Sequence, residues 1–61
     1  MINKTYYIKN SDKLDKALKT IEQKIPCFVA RDLIEMDYSQ VSISARQEDF
    51  VTVETILAPL V

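Results

Sequence analysis

The sequence predicts a single small α+β domain, ordered β-α-β-β-α, with a three-stranded antiparallel sheet and both helices on one face. Three observations lead there. Residues 10–25 carry a helical repeat of apolar side chains behind a run of capping residues; residues 4–9 and 41–44 alternate with the period of a strand; and 61 residues make one domain.

The first strand is expected over Lys4–Lys9. Ile2, Tyr6 and Ile8 share one phase and Thr5, Tyr7 and Lys9 the other. Tyrosines suit such a half-buried surface because the ring can be dry while the hydroxyl stays wet. The helix follows. Asn10, Ser11 and Asp12 each offer an oxygen to the free N–H groups of a first turn, and Leu14, Leu18, Ile21 and Ile25, with Ala17, then share a face. Asp15, Lys16, Lys19, Glu22 and Gln23 take the other face, with Asp12–Lys16 and Asp15–Lys19 spaced for i, i+4 ion pairs. Pro26 stops the helix, because proline disfavours helical backbone at the residue before it.

Cys27–Met36 admits two readings. As a strand it sets Phe28, Ala30, Ile34 and Met36 on one face, interrupted by Asp32; as a helix from Pro26 it aligns Val29, Leu33 and Met36. The strand is preferred, because Asp37–Gln40 is good turn chemistry and Val41–Ser44 alternates, so Phe28–Met36 and Gln40–Ala45 can form a hairpin. The last segment is also two-sided. Val51–Ile56 is rich in β-branched residues, yet Phe50, Val53, Leu57 and Leu60 follow helical spacing. Ser44 and Gln47 have capping-box spacing, Glu48 and Asp49 are acids for a first turn, and Pro59 ends the run, so a helix is expected.

Composition narrows the function. A chain this short buries only about 60% of its unfolded surface, so its core is marginal without support. Cys27 is alone and histidine is absent, which leaves neither an intramolecular disulfide nor a zinc cage. Oligomerisation is the remaining support, and a homodimer is expected. Without histidine no Ser–His or Cys–His nucleophile pair exists, and Cys27 reads as a buried structural thiol. The spaced carboxylates read as caps and solvated surface, so no enzyme, cofactor or metal is expected. Glycine is also absent, which removes phosphate-cradling loops. No apolar run nears the roughly 18 residues of a membrane span, and the lone thiol suits a reducing cytoplasm. The net charge of −1 divides unevenly: residues 1–24 hold six lysines against three acids, and residues 25–61 two arginines against six acids.

Strand, amphipathic helix and optional second helix over residues 4–37 resemble a ribbon-helix-helix repressor. Lys4–Lys9 would be the ribbon, Leu14, Leu18 and Ile21 the first helix, and Val29, Leu33 and Met36 the second. The resemblance implies a β-α-α start with a C-terminal hairpin, and a dimer that reads DNA through Thr5, Tyr7 and Lys9. The connection here is only Lys24-Ile25-Pro26-Cys27, without glycine, and a pI near 5.2 lacks the basic footprint of a DNA binder.

The leading expectation is therefore a small non-catalytic protein-interaction module, an adaptor or inhibitor of a larger protein, acting as a homodimer. Its sheet face away from the helices is expected to expose some of Thr5, Tyr7, Val29 and Leu33 together. Tyr6, Tyr7, Val29 and Leu33 are the expected contact residues, with Lys16 and Lys19 as a charged rim.

Overall fold

The computed structural model describes residues 1–61 and shows the expected α+β order. Strand β1 (Ile2–Lys9) leads into helix α1 (Asp12–Lys24); strands β2 (Phe28–Glu35) and β3 (Tyr38–Ala45) form a hairpin; helix α2 (Phe50–Leu57) follows. Short 3-10 turns, Gln47–Asp49 and Ala58–Leu60, flank α2. The sheet order is β1-β3-β2, so the last strand is central and antiparallel to both neighbours. β1 runs from Ile2 opposite Ala45 to Lys9 opposite Tyr38.

β3 alternates cleanly: Ser39, Val41, Ile43 and Ala45 are buried, whereas Gln40, Ser42 and Ser44 are partly open. The buried phase meets Leu14, Ala17, Leu18 and Ile21 of α1 and Phe50, Val53 and Leu57 of α2 in one core. Each large aliphatic side chain so buried contributes about 1.5–3 kcal/mol. Ile8 is the buried contribution of β1, and Val29 of β2 packs only against the margin.

Both ambiguous segments resolve by what they can bury. Phe28–Glu35 is a strand, so the second helix of a ribbon-helix-helix arrangement is not formed, and β1 pairs along its length with β3 of its own chain. In α2 the helical spacing of Phe50, Val53 and Leu57 wins over β-branched composition, because it seats three side chains in the core.

One of the expected capping residues caps α1, and local chemistry departs from expectation at three other places. Ser11 is the N-cap of α1, its hydroxyl accepting from Leu14 N–H. The Ser44–Gln47 capping box does not form: Ser44 lies in β3, its hydroxyl accepts from Asn3, and Arg46 precedes the turn with no side-chain cap. Asp15 pairs with Arg31 rather than Lys19, and Asp12 has no ion pair with Lys16. The hairpin turn is Met36–Asp37, not Asp37–Gln40. No residue has positive φ, so this two-residue connection is not one of the primed turns that match strand twist, and a bulge between Leu33 and Glu35 supplies the irregularity.

Candidate interaction surface

β2 is the least covered element of the domain. It pairs on one side with β3 and on the other with nothing, and seven of its eight residues are exposed. The sequence explains this. Arg31 and Asp32 sit at the strand's middle, one on each face, so neither phase of FVARDLIE is wholly apolar. Exposed apolar groups nevertheless crowd the strand and its turn: Phe28 is 72% exposed, Leu33 74% and Met36 93%, with Ile34 and Tyr38 beside them.

Register assigns these side chains to faces, since directly opposed residues project to the same side. Val29, Arg31 and Leu33 oppose Ile43, Val41 and Ser39, and so point to the helix side. Phe28, Ala30 and Asp32 oppose Ser44, Ser42 and Gln40, and so share the open face with Asn3, Thr5 and Tyr7. The expected joint patch of Thr5, Tyr7, Val29 and Leu33 is therefore divided between two faces. The open face is largely polar, with Asn3 donating to Ser44 at 2.8 Å and the Thr5 and Ser42 hydroxyls 3.3 Å apart.

The other expected contact residues separate in the same way. Tyr7 is exposed on the open face. Tyr6 points into the molecule, where its hydroxyl donates to Glu54 Oε2 at 3.3 Å; Lys4 Nζ reaches the same oxygen at 3.3 Å and lies 4.8 Å from the centre of the Phe50 ring. Burial foremost, then the Glu54 carboxylate, pushes the Tyr6 phenol up to about 12. Lys16 and Lys19 are exposed on α1, on the far side of the sheet from Tyr7. They do not rim the open face.

A polar cluster that sequence spacing does not reveal holds β2 under α1. Arg31 donates to Asp15 of α1, to Asn10 Oδ1 at 2.9 Å and to Ser39 Oγ at 3.1 Å. Ser39, fully buried, donates in turn to Asn10. Residues 10, 15, 31 and 39 thus meet across four segments.

Two further features are plainer. Cys27 is half-buried rather than buried; burial first, then Glu22 and Asp49, raises its thiol pKa and disfavours the nucleophilic thiolate. An open depression lies among Met1, Ile2, Arg46, Gln47 and Glu48, with the Arg46 guanidinium already 3.4 Å from Glu48 and 3.0 Å from Asp49. No group of three or more Cys, Asp or Glu side chains is placed to hold a metal ion, and no helix is long and apolar enough to cross a membrane. Compared with known proteins, the chain matches no family model, no curated protein and no solved structure.

Proposed function

We propose that this protein is a small non-catalytic interaction module, an adaptor or inhibitor of a larger protein, that acts as a homodimer. The observation that carries the reading is the free edge of β2 with its turn, where Phe28, Leu33, Ile34 and Met36 stand exposed on a strand with unspent backbone hydrogen-bonding groups. Sheet edges recruit strands, and apolar side chains beside them give the added contact area. β1 presents Lys9, a common guard against pairing, whereas the Phe28–Leu33 stretch of β2 has neither lysine nor proline and its bulge lies beyond that stretch.

Affinity capture from the native host tests the reading, with the native chain and a Met36→Asp variant as parallel baits. Met36 is nearly fully exposed, so its replacement leaves the fold intact. A discrete protein retained by the native chain and lost from the variant is the expected result. Identical recovery by both baits, or turnover of a small molecule by the pure protein, overturns it.

A further inference from the structure

We infer that the homodimer forms by antiparallel pairing of β2 with β2 of a second copy, which joins two three-stranded sheets into one of six strands; the inference rests on the interaction reading above. The partner is a second copy because β2 complements itself. A two-fold axis that pairs like edges antiparallel stands normal to the sheet, so both helix layers fall on one side and residues of like face oppose each other. With Arg31 on that axis, Val29 opposes Leu33 of the second copy on the helix side, twice over, and Ala30 opposes Asp32 on the open face.

This register answers the exposure of Leu33. Leu33 points to the helix side yet is 74% exposed, because the helices do not reach it, and the opposing Val29 supplies the missing apolar neighbour. Ala30 leaves room for Asp32 to remain solvated. The two Arg31 residues approach across the axis, but each charge is already matched by Asp15 and each guanidinium is tied to Asn10 and Ser39. Neighbouring registers are poorer. Centring on Ala30 sets Val29 against Arg31, and centring on Asp32 brings two carboxylates together, a pairing of like charges that destabilises a sheet. The bulge after Leu33 bounds the paired stretch. The pairing closes on itself, so it ends at two copies.

Sedimentation equilibrium and disulfide trapping test it together. The native chain is expected to sediment as a dimer. Leu33→Lys, an exposed position in the protomer, is expected to weaken the dimer by about tenfold or more while far-UV circular dichroism stays unchanged. In a Cys27→Ser background, Val29→Cys/Leu33→Cys is expected to oxidise to a covalent dimer. Val29→Cys alone is not, because its own mate lies four residues along the strand, about 13 Å away. A native chain that is monomeric at every concentration overturns both this pairing and the homodimer reading. A dimer that tolerates Leu33→Lys, or in which the single cysteine links as readily as the double, overturns the pairing alone.

Discussion

Two side-chain clusters organise the molecule at the scale of single residues. Around Arg31, a buried hydroxyl, an amide and a carboxylate all depend on one guanidinium. Arg31→Ala leaves Ser39 and Asn10 short of a partner, and is expected to lower stability by about 1–3 kcal/mol in urea unfolding. Asp15→Asn, at a carboxylate more than half exposed, is expected to cost less than about 1 kcal/mol. Around Tyr6, the phenol is held neutral by burial and by Glu54. Its folded pKa lies above the unfolded value, so the stability it contributes is complete below about pH 10 and is lost as pH rises from there towards about 12. Ultraviolet titration of Glu54→Gln should find the Tyr6 transition lowered towards, but still above, 10.0, because burial is the larger cause and remains. None of this was legible in the sequence. Asn10 read as a cap, Asp15 as a partner of Lys19 and Ser39 as turn chemistry, since local spacing cannot express contacts 8 to 48 residues apart.

The elements were more legible. The face of α1 built from Leu14, Ala17, Leu18 and Ile21 and the alternation of Val41 and Ile43 both follow from periodicity alone, and both segments take the expected form. What periodicity could not reveal is which phase of β2 meets the core. That strand carries apolar residues on both faces and charges on both, Arg31 on one and Asp32 and Glu35 on the other, and its opposed partners on β3 decide the matter. Capping separates the two helices energetically. Ser11→Ala removes a bond to a first-turn N–H and should cost about 1 kcal/mol, whereas Gln47→Ala, which makes no cap, should stay within about 0.5 kcal/mol. Thermal melts of the two variants provide the comparison.

For the whole molecule, core and edge are in tension. Twelve buried apolar residues form the core, and β2 adds only the flank of Val29 to it. A second copy that binds only the folded protomer raises apparent stability by mass action, so Tm should increase with protein concentration. Leu33→Lys should flatten that dependence without lowering the melting point of the dilute protein. A Tm independent of concentration for the native chain would place all of its stability within the single protomer.

The central position of β3 also governs the order in which the chain can assemble. β1 is made before its hydrogen-bonding mate, Tyr38–Ala45, with α1 and β2 between them. Until the C-terminal half arrives, the opening strand and the greasy side of α1 have no sheet to join, whereas β2 and β3 can zip at once across their short turn. The hairpin is thus expected to form first, with β1 and α1 docking only once Tyr38–Ala45 is available to pair.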